Sequence, residues 1–307
     1  MARAVTQITL GIDVAKDQLV LCHWNQQKTC SLPNEHQAIR SYLSALHGPV
    51  RIAIEPTSHY HLAVVNEAIA LGHVVYLVNP RQLVHYRQAV NVRNKTDPQD
   101  AWLLARFLEH EAAQLRPFQP QDRKAQRLWA LLLRRASVIK SRQQLQQSFG
   151  EVKISIRALI SQFNQLLQRL EQQITKLIRE LGWWAEYQCC LSIPGIGAIN
   201  AAALVTASHR GAFASSDAFI AYLGLDVRIR ESGYYRGKRK LTKRGEPELR
   251  RLLYCASKPA RSYPGFADYY QRQRENGLCK IAARVALSRK LARIAFTLIN
   301  RQEMFKR

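Results

Sequence analysis

With 307 residues, the chain is long enough for about two domains, and its hydrophobic share of 47% excludes a protein that is disordered throughout. Its 46 lysines and arginines, against 22 aspartates and glutamates, give a formal net charge of +24, which favours nucleic acid as the partner. The sequence contains no apolar run of about 18 residues, which argues against a membrane span.

The first 115 residues predict an α/β domain with a mixed sheet. Apolar, alternating segments within residues 5–32 are separated by short polar turns, as in three strands of a meander. Helical and short apolar segments then alternate. Asn34 is the expected N-cap of the first helix, Gly72 is expected to end the second, and Pro80 is expected to begin the third.

Residues 116–187 predict a long antiparallel helical hairpin or coiled coil. Leucine, isoleucine and valine recur there at spacings of three and four between glutamine, arginine and lysine. Between residues 120 and 187 the segment lacks internal proline, and Gly150 and Gly182 are its only glycines. We expect it to act as a spacer or an oligomerisation arm.

Residues 188–307 predict a mainly helical C-terminal domain. It opens with "IPGIG" at residues 193–197, which resembles the turn of helix-hairpin-helix modules. A loop rich in glycine and arginine, residues 226–247, interrupts the helical pattern. The backbone of Gly195 and Gly197 is therefore a candidate phosphate contact, although a plain tight turn between two helices has the same pattern.

The cysteines and the N-terminus point to the cytoplasm, where we expect association with the nucleoid. The six cysteines show neither CxxC nor any zinc spacing, so reduced thiols are expected. The N-terminus lacks the apolar core and the cleavage site of a signal peptide. A metal bound by this chain is therefore expected to have oxygen ligands.

Four acidic residues stand at the ends of predicted elements in the first domain. Asp13 and Glu55 follow strands, at the sheet edge where ligands bind in open α/β folds. Asp97 and Asp100 open the last helix at a spacing that places both on one face.

These four carboxylates predict a magnesium site. Carboxylates that converge on one point repel one another unless a cation lies between them, and Mg²⁺ prefers such oxygen ligands. One ion, or two in the arrangement used for phosphodiester chemistry, would fit. Taken singly, Asp97 is also the expected N-cap of its helix, and Asp13 is a possible turn residue.

Several segments carry a family resemblance: "GIDVAKD", "IEPTSHY", "NPRQLVHYR" and "RNKTDPQDAWLLARFL", then "LSIPGIGAINAAALV", "AFIAYLGL", "RESGYYRGKRKLTKRGEPELRRLLY" and "ALSRKLARIAF". They resemble the DEDD-type transposases of the insertion-sequence family numbered one hundred and ten, and the related pilin-gene invertases. The resemblance covers nearly the whole chain and implies a RuvC-like or RNase H-like fold for residues 1–115. Pro56 and Ser58 depart from the alanine and glycine that are common in this family near the glutamate.

The resemblance also implies an activity and partners. Asp13, Glu55, Asp97 and Asp100 match the four catalytic acids of the family. The enzyme would cut and rejoin donor and target DNA, guided by a structured RNA. It would work as a homodimer or homotetramer whose acidic and serine domains, from different protomers, meet at one phosphate.

The glycine-rich loop and the helix after it predict a phosphate-backbone contact. Residues 228–251 hold ten lysines and arginines against three glutamates, with tyrosines that offer stacking faces. A charge run is more often only a solvated surface, but glycine and tyrosine within this run favour binding. The predicted contacts are Lys95, Arg228, Arg230, Tyr234, Tyr235, Arg236, Lys238, Arg239, Lys240, Lys243, Arg244, Arg250 and Arg251.

Ser232 lies within this loop. Its spacing alone indicates an ordinary loop hydroxyl, but by the resemblance it matches the nucleophilic serine of the family. A serine oxygen that attacks a phosphodiester needs the phosphate charge neutralised and a base or metal nearby. The predicted function is therefore a transposase or site-specific recombinase with a covalent serine–DNA intermediate.

Two other functions are compatible with the residues. One is a RuvC-like endonuclease that hydrolyses junction DNA with water and leaves Ser232 structural. The other is a nucleic-acid-binding protein without enzymatic activity, in which the acids only cap helices.

Overall fold

The computed structural model describes residues 8–120, 122–152, 154–228, 231–232, 234–237 and 239–306, with the backbone alone at Gln114, Glu231, Tyr235 and Arg236. The chain divides into two compact units, residues 1–120 and 121–307. Within the described residues it is a mixed α/β protein, with its main sheet in the first unit and most of its helices in the second. None of the described helices is long and apolar enough to cross a bilayer.

The first unit contains a five-stranded sheet in the order β3-β2-β1-β4-β5. The first three strands form an antiparallel meander, whereas β4 pairs parallel with both β1 and β5. This arrangement confirms the predicted mixed sheet and is compatible with a RuvC-like unit. The strands are β1 (Thr9–Val14), β2 (Gln18–His23), β3 (Lys28–Pro33), β4 (Arg51–Ile54) and β5 (Val74–Leu77).

The helices of the first unit alternate with the later strands, as the sequence predicts. The expected N-cap at Asn34 is wrong, because Glu35 precedes the helix. The Asn34 side chain instead donates to the carbonyl oxygens of Ala15 and Tyr60, at 2.9 and 3.1 Å, and so ties two turns together. The helices are α1 (His36–Ser44), α2 (Leu62–Ala70), α3 (Pro80–Ala89) and α4 (Asp97–Glu111), followed by a 3₁₀ turn, Ala112–Gln114.

Helix α4 packs very close to strand β1 because Gly11 leaves it room. A Cβ atom at Gly11 would lie 2.0 Å from the carbonyl oxygen of Ala101 and 2.4 Å from the amide nitrogen of Ala105. Both are backbone atoms of α4, so only a residue without a side chain permits this approach. The close packing places the first turn of α4 near the end of β1.

The second unit begins with the predicted antiparallel hairpin, α5 (Arg123–Ser148) and α6 (Arg157–Glu180). Three side-chain pairs at successive heights set its register: Lys124 with Glu180 at 3.1 Å, Arg135 with Glu171 at 2.6 Å, and Arg142 with Asn164 at 2.6 Å. Buried leucines and isoleucines at the base of the hairpin belong to the same core as the later helices.

Among its described residues, the rest of the second unit contains helices and two small ladders. Strand β6 (Val227–Arg228) pairs with β9 (Lys240–Leu241), and β7 (Glu231–Ser232) pairs with β8 (Tyr235–Arg236), within the loop predicted at residues 226–247. The six cysteines, all within the described residues, are free. The elements are α7 (Trp184–Leu191), α8 (Ala198–Ser208), α9 (Ser216–Tyr222), β6 (Val227–Arg228), β7 (Glu231–Ser232), β8 (Tyr235–Arg236), β9 (Lys240–Leu241), α10 (Pro247–Ala260), α11 (Pro264–Glu275) and α12 (Lys280–Arg301).

Candidate active site residues

The four predicted acids lie around one end of the first unit's sheet. Asp13 is in β1, and Glu55 directly follows β4. These two strands run parallel with Ile12 opposite Ile54, so Asp13 and Glu55 leave the sheet at the same edge.

The other two acids stand on the first turn of α4. Asp97 is the first helical residue and Thr96 is the N-cap, so the expectation that Asp97 caps the helix is wrong by one position. The amide of Asp100 donates to the carbonyl oxygen of Thr96 at 2.9 Å, which closes this turn. The Asp100 side chain is buried. The first turn of α4 therefore places the Asp100 side chain in the protein interior rather than in solvent.

Electrostatics show that the four carboxylates influence one another. Burial, and then the negative charges of Asp100, Asp97 and Glu55, raise the pKa of Asp13 to about 6. Burial and the charge of Asp100 raise the pKa of Glu55, although Lys95 and Arg87 oppose the shift. Acids that lie close enough to oppose one another's ionisation are typical of a functional site.

Arg87 on α3 supplies positive charge to this acidic cluster, defined as Asp13, Glu55, Asp97 and Asp100. One of its guanidinium nitrogens forms an ion pair with a carboxylate oxygen of Asp100, and the other donates to the carbonyl oxygen of Asn94 at 3.0 Å. Within the part of the chain that the structure describes, no three acidic, histidine or cysteine side chains already form a metal-ligand set.

The chemistry of the acidic cluster fits a divalent cation. Four carboxylates offer the oxygen ligands that Mg²⁺ selects, and after burial the charges of Asp100, Asp97 and Glu55 raise the pKa of Asp13. The ion pair to Asp100 compensates one of the four. Metal binding by the cluster stays a prediction.

The base of the loop in the second unit is tightly built. Gly224 and Gly245 pack backbone to backbone, with a Cβ at Gly224 placed 2.4 Å from the amide nitrogen of Gly245. The Arg250 guanidinium donates to the carbonyl oxygens of Gly245 at 2.5 Å and Leu223 at 3.4 Å. Across the base, the hydroxyl of Thr242 donates to the carboxylate of Asp226. These contacts fix both ends of the loop.

Ser232 lies on the short hairpin formed by β7 and β8. Its backbone pairs with Tyr235, and its side chain is exposed, as is that of Tyr234 at the turn. An exposed hydroxyl on a hairpin is accessible to a large substrate such as DNA. Its role as a nucleophile stays a prediction.

The predicted nucleic-acid contacts divide into three groups. Arg230 and Lys238 lie outside the described residues, and only the backbone is described at Tyr235 and Arg236. Arg250 closes the loop base, and the exposed Arg251 forms two hydrogen bonds of 2.6 Å with Glu248; contact of either with nucleic acid stays a prediction. The other predicted side chains are exposed to solvent: Lys95, Arg228, Tyr234, Arg239, Lys240, Lys243 and Arg244.

The "IPGIG" segment forms the turn between α7 and α8. Gly195 has a φ of +88°, and a Cβ there would lie 2.6 Å from the amide nitrogen of Ala260, so internal packing explains this glycine. A Cβ at Gly197 meets open space among the described residues, and Gly197 precedes α8 as its N-cap. Of the two glycines, Gly197 has the more open backbone for a phosphate.

Gly245→Ala will destabilise the second unit by about 1–3 kcal/mol, because overpacked sites cannot relax cheaply. The new Cβ would lie 2.2 Å from the carbonyl oxygen of Tyr222, which is backbone and cannot rotate away. Thermal and urea unfolding measure the loss. Gly265→Ala is the matched control, since its Cβ would meet only the Tyr263 ring at 3.6 Å. Equal stability of the two variants would contradict the proposed close packing at the loop base.

Sequence reasoning missed Gly11 and Arg87. The glycine is one residue of an otherwise regular strand, and its partner atoms are 90 or more positions later. Arg87 is seven residues after the start of α3, on the side that faces α4. Gly11 lies in the segment "GIDVAKD" and Arg87 in "NPRQLVHYR", so the family resemblance of these segments could have indicated both residues.

Comparisons with known proteins identify relatives that match nearly the whole chain. Residues 10–152 match the family of DEDD transposases of the IS110 type, and residues 187–271 match the transposase family IS116/IS110/IS902. A pilin gene-inverting protein of Moraxella bovis is 30% identical over 315 residues, which covers 96% of this chain and 97% of that protein. The corresponding Moraxella lacunata protein is 29% identical over the same shares, and a probable family 20 transposase of Pseudomonas aeruginosa is 24% identical over 97% and 98%.

Proposed function

Because the chain belongs to the IS110 family of transposases, we propose that it cuts and rejoins DNA through a covalent bond to Ser232, with magnesium held by its acidic cluster. Family membership makes the chain a DNA transposase or recombinase, so the alternative of a protein without enzymatic activity is wrong. The finer statements about the serine, the metal and the guide RNA are our proposal.

The placement of the four acids supports the metal part of the proposal. Asp13 and Glu55 lie at one end of two adjacent parallel strands, and Asp97 and Asp100 are on the first turn of α4. After burial, the charges of the other three acids raise the pKa of Asp13, and clusters of this kind are typical of functional sites. We assign the unit that contains them a RuvC-like fold, with which its sheet order is compatible.

Asp13, Glu55, Asp97 and Asp100 would hold the cation. Bound magnesium would place positive charge beside the scissile phosphate and stabilise the charge that develops there. The chain contributes the fixed positions: Asp13 and Glu55 from adjacent parallel strands, and Asp97 and Asp100 from one helical turn.

In the cleavage step, the Ser232 hydroxyl oxygen forms a bond to phosphorus and loses its proton. The bond from phosphorus to one DNA oxygen breaks, and that oxygen leaves as a hydroxyl after taking up a proton. Rejoining reverses these events, since a DNA hydroxyl attacks the phosphoserine and releases Ser232. The free energy of the broken DNA phosphodiester is conserved in the phosphodiester between Ser232 and DNA, so strand exchange needs no external energy source.

The exposed positive side chains support binding to the DNA backbone. Arg228 and Lys240 pair across β6 and β9, and Lys243 and Arg244 follow them, all exposed. Contacts of this kind grip phosphates without reading bases. A structured guide RNA would then choose the donor and target sites by base pairing. We propose that a homodimer or homotetramer brings Ser232 and the acidic cluster to one phosphate.

The covalent adduct tests the serine mechanism. The purified protein, with its co-purified RNA, is incubated with DNA that carries the ends of its own element, with Mg²⁺ or with a chelator. We expect a protein–DNA adduct that survives denaturation, that requires the metal, and that disappears in Ser232→Ala. Sequencing the co-purified RNA checks for one discrete species that matches the DNA sites.

Tyr234→Phe is the matched control, because Tyr234 carries an exposed hydroxyl two residues from Ser232. It should keep the adduct. An adduct that persists in Ser232→Ala would overturn the serine mechanism, and metal-dependent cleavage without any adduct would favour the endonuclease that uses water.

A further inference from the structure

Arg87 places a largely buried positive charge in contact with the acidic cluster. Its side chain is 15% exposed, and that of its partner Asp100 is 9% exposed. Arg87 stands on α3 and Asp100 on α4, so this ion pair crosses between two helices. A pair this deeply placed is weakly screened by solvent, and each charge depends on the other.

The guanidinium also holds the segment that leads into the acidic helix. Its second nitrogen donates to the carbonyl oxygen of Asn94 at 3.0 Å, three residues before Asp97. One side chain therefore fixes both the approach to α4 and the carboxylate on its first turn. Lys95, the other cation that acts on Glu55, is exposed.

The Arg87 guanidinium donates to Oδ1 of Asp100, and a metal ion bound by the same carboxylate would lie beside this positive charge and be repelled by it. The donor set fits a divalent cation, yet the described side chains as placed form no ligand set, and Asp100 faces Arg87. Cation and guanidinium are thus rivals for one ligand.

We propose that Arg87 is an internal counter-ion that occupies Asp100 until a divalent cation displaces it. This inference rests on the proposed metal site. The ion pair stabilises the metal-free protein, and its loss on metal binding lowers the apparent affinity for the metal. The release also frees the Asn94 carbonyl and with it the segment before α4, so metal binding and the order of that segment are coupled.

Binding of Mn²⁺ alone to the full-length protein, measured by calorimetry without nucleic acid, tests the rivalry. Arg87→Met keeps an unbranched apolar side chain and removes the charge. We expect this variant to melt at a lower temperature than the wild type in chelator. It should bind Mn²⁺ on the order of tenfold more tightly, within the range of ordinary coupling between two ligands. The rise in Tm on adding Mn²⁺ should also be larger than in the wild type.

Arg81→Met is the matched control, because Arg81 is an exposed arginine on the same helix. It should leave both Mn²⁺ affinity and Tm unchanged. Arg87→Lys keeps the charge with fewer donors and should give an intermediate affinity, which preserves the test if the methionine variant fails to fold. Equal or weaker Mn²⁺ binding by the Arg87 variants overturns this inference alone. Absence of Mn²⁺ binding in every protein, the wild type included, overturns the proposed metal site together with it.

Discussion

Asp13→Asn will slow DNA cleavage about 10²–10³-fold and at the same time make the metal-free protein more stable at neutral pH. In the proposed mechanism, this carboxylate helps to hold the magnesium ion that stabilises charge at the scissile phosphate. Its ionisation in the folded state is opposed by burial and by three neighbouring acids, so removing the charge relieves the fold.

The stability gained by Asp13→Asn increases as the pH rises. The pKa of Asp13 is about 6 in the folded protein and about 3.8 in the unfolded chain. A raised carboxyl pKa leaves stability unaffected below about pH 4 and lowers it as pH rises towards 6. The full shift corresponds to about 3 kcal/mol, and solvent screening of this half-exposed group reduces it to about 1 kcal/mol.

Urea unfolding in chelator at pH values from 4.5 to 7.5 measures the gain, and cleavage of element-end DNA with Mg²⁺ measures the loss. The stability difference between Asp13→Asn and the wild type should grow with pH and then level off. Asp17→Asn removes an equal charge at an exposed position four residues later and serves as the control. Cleavage by the Asp13 variant at wild-type rate would remove Asp13 from the active site.

Gly11→Ala will unfold or strongly destabilise the first unit, by about 3 kcal/mol. The new Cβ would meet the carbonyl oxygen of Ala101 at 2.0 Å and the amide nitrogen of Ala105 at 2.4 Å. Since both atoms are helix backbone, relief requires α4 to move away from β1. That movement separates Asp100 from Asp13, so divalent-cation affinity should fall together with stability.

Urea unfolding is followed by the fluorescence of Trp102 on α4, in a background where the other four tryptophans are replaced by phenylalanine. Ala53→Gly is the control, because Ala53 is the register partner of Gly11 on β4 and its substitution adds no atoms. It should cost only about 0.5–1 kcal/mol. A Gly11→Ala protein within 0.5 kcal/mol of the wild type would contradict the close approach of α4.

The strands and acids of the first unit were predictable because their signals are local. Alternating or short apolar segments mark the strands, and Glu55 directly follows β4 as predicted. Asp13 lies inside β1, because this strand extends past the predicted end to Val14. The order of the elements grouped the four acids, and the family resemblance then matched each of them to a catalytic acid.

The prediction at Asn34 failed because distant partners competed for its side chain. Asn34 does not cap α1, since its amide donates to the carbonyl oxygens of Ala15 and Tyr60. The charge run likewise did not predict that Arg250 donates to the carbonyl oxygens of Gly245 and Leu223. Its contact with nucleic acid stays a prediction.

The closed loop base in the second unit has a consequence for binding thermodynamics. Asp226 and Thr242 are 16 positions apart and already joined, so the entropy of bringing the loop ends together is lost when the protein folds. If the loop binds DNA as proposed, this entropy is not lost again on association, which lowers the entropic penalty of binding. Ser232 thus lies in a loop whose base is joined before any substrate arrives.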